Sequence, residues 1–297
     1  MRATSRTGLP RRQRSGSKII GRKTDGKIMK ILVTSGSVAR LAAFRIQTRA
    51  HACKTVFKLG LPTGSTVEEM YMFLRRWSRA GTLDLSRTVT FNMDEYIAVP
   101  PSDPHSYYAY MQTHLFDTVN VLRRYQLNAL AFDLVGECDH YEKAIQEEGG
   151  IDLFIGGVGQ NGHIAFNEPG TPFTAPTHIV RLTTTTRYAN ARFFGGDAFN
   201  VPPYAVTVGI GTILRARELL FLATGFAKSY PVSELEKPGT SLRVPLTALK
   251  THPNATLLLD EEAASGFTGA FAERLERARY NHPFSEYWEI HTEDALC

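Results

Sequence analysis

Acids are almost missing from the start of this chain. Residues 1–30 hold ten Lys or Arg and one acid, Asp25, a net +9 set against a whole-chain +5. The remainder carries 24 bases against 28 acids, or −4, so the body of the protein does not have the charge of a nucleic-acid binder. The basic segment has no apolar period and reads as a disordered tail over residues 1–28, ahead of a single α/β catalytic domain over 29–297. Three readings of the tail compete. It has the Arg- and Ser-rich, acid-poor composition of an organelle transit peptide. It resembles a nucleic-acid arm. The blandest reading is an upstream extension, with Met29 the natural first residue, and that is the expectation.

Cysteine is scarce as well: Cys53, Cys138 and Cys297 are scattered. They fit neither a disulfide framework nor a zinc spacing, which points to a reduced, cytoplasmic interior, with organelle targeting by the tail as the alternative. No apolar run reaches the roughly 18 residues of a membrane span, and no internal repeat is visible.

What is present is an alternation. Apolar runs at 30–33, 55–61, 88–93, 152–158, 204–210, 218–224 and 255–260 read as strands. Helical stretches stand between them, at 38–53, 67–77, 105–116, 137–148, 187–194 and 261–279. In the second, Met70, Phe73, Leu74 and Trp77 share a face, with Thr66 as the expected cap and Glu69 completing a capping box. Near-continuous apolar strands alternating with helices predict an open, mainly parallel sheet covered on both faces, a Rossmann-like three-layer sandwich. Ligands of such sheets bind beyond the carboxyl ends of the strands. Four polar loops follow strands directly: Pro-Thr-Gly-Ser-Thr (62–66), Met-Asp-Glu-Tyr (93–96), Gly-Gln-Asn-Gly-His (159–163) and Thr-Gly-Phe-Ala-Lys (224–228).

Each loop has a chemical reading beside a plainer one. Thr63, Gly64, Ser65 and Thr66 form a glycine turn into a helix, where free N–H groups favour a phosphate. The Walker lysine is absent, and from this loop alone a plain turn with a helix cap is about twice as common. Asp94 and Glu95 stand at the functional edge, but adjacent residues of an extended chain point opposite ways, so only one faces the site. A carboxylate there would move a proton between carbons; the commoner alternative is a solvated acid or cap. His163 lies in a glycine-rich loop, where a neutral imidazole would exchange protons with hydroxyls near pH 7. Asn161 and Glu168 are its local partners, and a structural histidine is the alternative. Arg192 and Lys228, surface charges if taken singly, would complete a phosphate clamp.

Taken together, these motifs closely resemble the glucosamine-6-phosphate deaminases of the glucosamine/galactosamine-6-phosphate isomerase family. The shared stretches are LGLPTGST, VTFNMDEY, DLFIGGVGQNGHIAFNEPG, ANARFF, AVTVGIGTIL and HPNATLLLD, in family order from about Lys30 to Ala264. The resemblance implies isomerising deamination of glucosamine 6-phosphate to fructose 6-phosphate and ammonia in amino-sugar (N-acetylglucosamine) catabolism. It implies no metal, no cofactor, and a small sugar phosphate as the partner, with the protein a monomer or homo-oligomer. By matching position, His163 would open the sugar ring, held by Glu168 and the residue at 161. Asp94 would carry the proton from carbon 2 to carbon 1. Thr63, Gly64, Ser65, Thr66, Arg192 and Lys228 would bind the phosphate. Two alternatives share the fold: a 6-phosphogluconolactonase-like hydrolase, which lacks the Asn-Glu-Pro ending seen here at 167–169, and a non-catalytic sugar-phosphate sensor.

Four departures from the family pattern stand out. Asn161 replaces a frequent Asp, and its oxygen would orient the imidazole without adding charge. His178 and Val180 occupy positions that are basic in the allosterically regulated branch, so activation by N-acetylglucosamine 6-phosphate is expected to be weak or absent. Pro231 falls near the start of a family helix, where only a first turn tolerates it. The segment before Lys58 reads as shorter than the family's opening strand and helix if Met29 is the first residue.

Overall fold

A computed structural model describes residues 29–282 and 285–291; the tail expected over 1–28 lies outside them. The chain opens with β1 (Lys30–Thr34), α1 (Val38–Ala52), β2 (Phe57–Leu61) and α2 (Ser65–Arg79). β3 (Thr88–Asn92) passes through Met93 into β4 (Asp94–Tyr96), and α3 (Tyr107–Met111) continues as a π turn to Phe116. Next come β5 (Arg123–Tyr125), α4 (Leu134–Glu147), β6 (Leu153–Gly157), β7 (His178–Arg181), α5 (Thr184–Asn190), β8 (Tyr204–Thr207), α6 (Ile210–Ile213) and β9 (Leu219–Ala223). The last elements are α7 (Ser229–Ser233), β10 (Ala255–Asp260), α8 (Glu261–Ala264), α9 (Gly269–Asn281) and β11 (Tyr287–His291).

Eight strands form the main sheet in the order β11-β1-β10-β9-β6-β2-β3-β5. Every pairing is parallel except that of β11 with β1. Both faces are buried, as the apolar strands require. Leu153, Ile155, Leu220 and Leu222 pack toward α1 and α2. Their neighbours Phe154, Leu219 and Phe221 pack on the opposite face with Tyr141 and Ile145 of α4 and Phe271 and Leu275 of α9. Two strand glycines make room there. A Cβ on Gly60 would come within 2.5 Å of the Phe154 ring, and one on Gly156 within 2.2 Å of the Phe221 ring. The expected three-layer architecture is therefore present, and no helix among the described residues is long and apolar enough to cross a membrane.

Several boundaries differ from expectation. α2 begins one residue earlier than its expected cap: Gly64, at φ 109°, is the N-cap, and Glu69 accepts from the Ser37 hydroxyl at 3.1 Å rather than closing a capping box. The buried stripe of α2 is Val67, Met70, Tyr71 and Leu74, with Phe73 and Trp77 only partly buried at its margin. β1 and the 15-residue α1 supply a complete opening strand and helix after Met29. Pro231 is the third residue of α7, still within a first turn. The stretch expected to be helical over 261–279 breaks between α8 and α9.

A second, antiparallel sheet, β4-β8-β7, stands beside the first. It replaces the expected loop at 93–96, because the chain leaves β3 at Met93 and Asp94 pairs with Thr207 of β8. This small sheet holds the next elements of the site in place.

Candidate active site

β9, β6, β2 and β3 are neighbours and parallel, so the four polar loops that follow them emerge at one edge. The first is a glycine turn into a helix N-terminus. Gly64 caps α2 without a side-chain hydrogen bond, leaving first-turn N–H groups and the positive end of the helix dipole for a ligand. Arg192 lies in the 3-10 turn Ala191–Phe193 after α5, stacked on Phe193, and its Nη2 donates to Ser65 Oγ at 2.7 Å. Lys228 ends the turn Phe226–Lys228 after β9. Burial, reinforced by Arg192, pushes its pKa down to about 8, so the two cations carry an excess of positive charge that a dianion would relieve. Thr63 stands beside the Tyr107 hydroxyl.

Asp94 and Glu95 divide as the extended backbone predicts. Glu95 turns away from the rim and accepts from the backbone N–H groups of Tyr96, Tyr107 and Tyr108 at 2.9, 2.9 and 2.8 Å, tying down the start of α3. Asp94 is 6% exposed, and its buried Oδ1 has no hydrogen-bond partner. Burial, reinforced by Glu95, pushes its pKa well above the usual carboxylate range.

His163 is held against the backbone. Its ring lies so close to Gly159 that a Cβ there would come within 2.2 Å. Gly159 N–H donates to the His163 carbonyl at 2.9 Å, and Asn167 ties the loop to β8 by donating to Ile164 and Val208 carbonyls at 2.9 and 2.8 Å. Ala165 takes φ 51°, a conformation non-glycine residues rarely adopt. Burial, with help from Lys228, pushes the imidazole pKa down to about 4 against the opposing pull of Glu168. A neutral ring at pH 7 is a proton acceptor.

The partners of that ring differ from expectation. Asn161 makes no hydrogen bond to it. Its Oδ1 accepts from the His163 main-chain N–H at 3.2 Å, and its Nδ2 donates to Glu168 Oε2 at 2.8 Å. Glu168 stands 3.8 Å from Nδ1, while Thr186 Oγ1 is at 3.4 Å. Thr183 and Thr186, together with Tyr107 and Gly159, are the parts of the site that the sequence did not single out. A cavity of about 640 Å³ lies elsewhere, between α1 and the β1–β11 edge, and none of the residues above lines it.

The two halves of the rim are joined. Asp94 pairs with Thr207, whose hydroxyl accepts from Phe166 N at 3.0 Å in the His163 loop. Tyr107 of α3 donates to Tyr96 at 3.2 Å, and Asn190 of α5 donates to the same phenol at 2.9 Å. Of the two positions compared with the regulated branch, Val180 is buried in the core of the small sheet, and His178 Nδ1 is 2.8 Å from the Pro176 carbonyl.

This arrangement has known relatives. A family model for glucosamine-6-phosphate isomerases/6-phosphogluconolactonase matches residues 34–258. The chain belongs to this family. It is 45% identical over 221 residues to a glucosamine-6-phosphate deaminase of Porphyromonas gingivalis, covering 74% of this chain and 84% of that one. It is 42% identical over 236 residues to a glucosamine-6-phosphate deaminase of Yersinia pestis, covering 77% and 89%. Among solved structures, a monomeric glucosamine-6-phosphate deaminase matches with a TM-score of 0.77 and 37% identity over 80% of this chain and 99% of its own. A 6-phosphogluconolactonase from Trypanosoma cruzi, at 21% identity and a TM-score of 0.64, shares the fold.

Proposed function

We propose that this chain isomerises and deaminates glucosamine 6-phosphate, giving fructose 6-phosphate and ammonia. The observation that carries the reading is Asp94, a carboxylate that the fold desolvates without giving its Oδ1 a partner. A raised pKa makes the ionised group a stronger base. Such a group suits removal of a proton from carbon, and lactone hydrolysis has no such step.

The residues then divide the work. The 63–66 turn, the start of α2, Arg192 and Lys228 grip the phosphate, far from the reacting carbons, and fix the sugar's position. His163 takes the proton of the anomeric hydroxyl and returns it to the ring oxygen, which opens the ring and exposes the aldehyde. Only then is the carbon-2 proton acidic. Asp94 removes it to give an enolamine and delivers it to carbon 1. The imine left at carbon 2 is hydrolysed by water, releasing ammonia. Two proton carriers at two places are required, and the rim offers a neutral imidazole and a poised carboxylate.

Amino-sugar catabolism in the cytoplasm is the setting this reaction fits. With Val180 buried and His178 turned to a carbonyl, we expect little activation by N-acetylglucosamine 6-phosphate. Incubating the protein with glucosamine 6-phosphate and with 6-phosphogluconolactone separates the readings. Ammonia from the first supports the deaminase; hydrolysis of the second without ammonia from the first replaces it with the lactonase, and neither product leaves a sugar-phosphate sensor.

A further inference from the structure

His163 is connected to its carboxylate through hydroxyls rather than directly. Glu168 Oε2 already accepts from Asn161 Nδ2 at 2.8 Å, and Oε1 from the Thr183 backbone N–H and hydroxyl at 3.2 and 3.1 Å. At 3.8 Å from Nδ1 the carboxylate is beyond hydrogen-bond range. Thr186 Oγ1, at 3.4 Å from Nδ1, is nearer, and it lies 3.2 Å from Thr183 Oγ1.

The relative strength of two competing acceptors then sets the direction of the chain. Thr183 has one hydroxyl proton and two acceptors within reach of it, Glu168 Oε1 at 3.1 Å and Thr186 Oγ1 at 3.2 Å, of which the carboxylate is the nearer and the stronger. With that proton on Glu168, the contact between the two threonines is made by the Thr186 proton. A Thr186 hydroxyl that donates to Thr183 faces Nδ1 with its lone pairs. The ring must therefore carry its proton on Nδ1, which leaves Nε2 bare, the form that can take a proton from the anomeric hydroxyl. We propose that Thr186 is a positioning residue that sets the tautomer of His163, through a one-way chain from Nδ1–H to Thr186, Thr183 and Glu168.

This inference rests on the deaminase reading of His163. The charged groups around the ring are Glu168 and Lys228, with Arg192 beside Lys228. When Nε2 gains a proton, Lys228 opposes the new charge. The hydroxyl chain carries stabilisation from Glu168 to the far side of the ring. With Asn161 in place of an acid and spent on the backbone, this chain is the hydrogen-bonded link from imidazole to carboxylate.

The test is 15N NMR of histidine-labelled protein without substrate, the His163 signals being assigned by their loss in His163→Gln. Wild type is expected to show the Nδ1–H tautomer at pH 7. Thr186→Val keeps the shape and removes the hydroxyl; it should shift the ring toward Nε2–H and lower kcat about tenfold or more with KM nearly unchanged. Thr186→Ser should restore both. An Nε2–H tautomer in wild type overturns the proposal without recourse to any variant. So does Thr186→Val with wild-type tautomer and kcat. Wild-type protein that releases no ammonia from glucosamine 6-phosphate removes the parent reading, and the positioning role with it, whatever the tautomer.

Discussion

The two edges of the main sheet treat charge in opposite ways. At the amino edge, acids and bases meet. Glu218, 1% exposed and just ahead of β9, accepts from Arg45 Nε and Arg49 Nε of α1, each at 2.6 Å. Asp152, just ahead of β6, pairs with Arg217 at 2.7 Å and Lys58 at 3.3 Å. At the carboxyl rim the charges are kept apart: Asp94 is buried beside another acid, and Lys228 beside another cation. One edge is arranged for stability. The other holds its charges at a cost that a substrate carrying a phosphate and a labile C–H bond would offset.

Substitutions at the two edges should therefore act in opposite directions. The largest effect on stability is expected at the amino edge. Glu218→Ala should cost about 2–4 kcal/mol in denaturant unfolding, since it strands two arginines whose heads reach water, while kcat stays unchanged. Next is Gly159→Ala, which drives a methyl into the His163 ring without backbone strain. It should lower kcat about 100-fold, with unfolding free energy nearly unaltered.

Third is Asp94→Asn read as a stability change. A folded pKa raised above the unfolded value means the native state binds the extra proton. Wild-type stability is thus lost as pH rises above the usual carboxylate value near 4. Asp94→Asn should remove that loss and stabilise the free protein by about 1–3 kcal/mol at pH 7, the reverse of the sign at Glu218. An Asn variant less stable than wild type would abolish the contrast between the edges.

The smallest effect is at Asn161. Asp there places a second carboxylate beside Glu168, so the imidazolium of His163 is favoured, and its pKa should rise from about 4 by about one unit. The acid limb of the rate profile should move upward with it; an unmoved limb would show that position 161 does not communicate with the ring.

The main-sheet strands and the rim loops were legible in the sequence for local reasons, whereas the ion pairs of Glu218 and Asp152 at the amino edge join residues far apart in the chain and left no local signal. Long apolar runs announced β2, β6, β9 and β10, and the loops after them were polar enough to mark the rim. The split between Asp94 and Glu95 followed from strand geometry. Three edge strands offered no continuous apolar run: β5 is Arg123-Arg124-Tyr125, and β7 and β11 each carry exposed charged or polar residues. The second sheet was missed because nothing in Asn-Met-Asp-Glu-Tyr signals that the chain changes sheets at Met93. Thr186 was hidden in a run of four threonines, 183–186, any of which would serve as a cap. Thr183 proves to be the N-cap of α5, accepting from Thr186 N at 3.2 Å, and only that turn of helix brings the second hydroxyl to the imidazole. The part played by Asn161 was misjudged, since its reach to the backbone depends on the turn at Gly162, which holds φ 82°.

The central claim is that a desolvated carboxylate at 94 moves the carbon proton while the rest of the rim only binds and opens the sugar. Ammonia release from glucosamine 6-phosphate, measured beside sugar-phosphate binding for wild type and Asp94→Asn, tests it most directly. The account predicts release by wild type, a loss of about 10³-fold or more in the variant, and binding that stays within about threefold. Undiminished ammonia release from Asp94→Asn would contradict it.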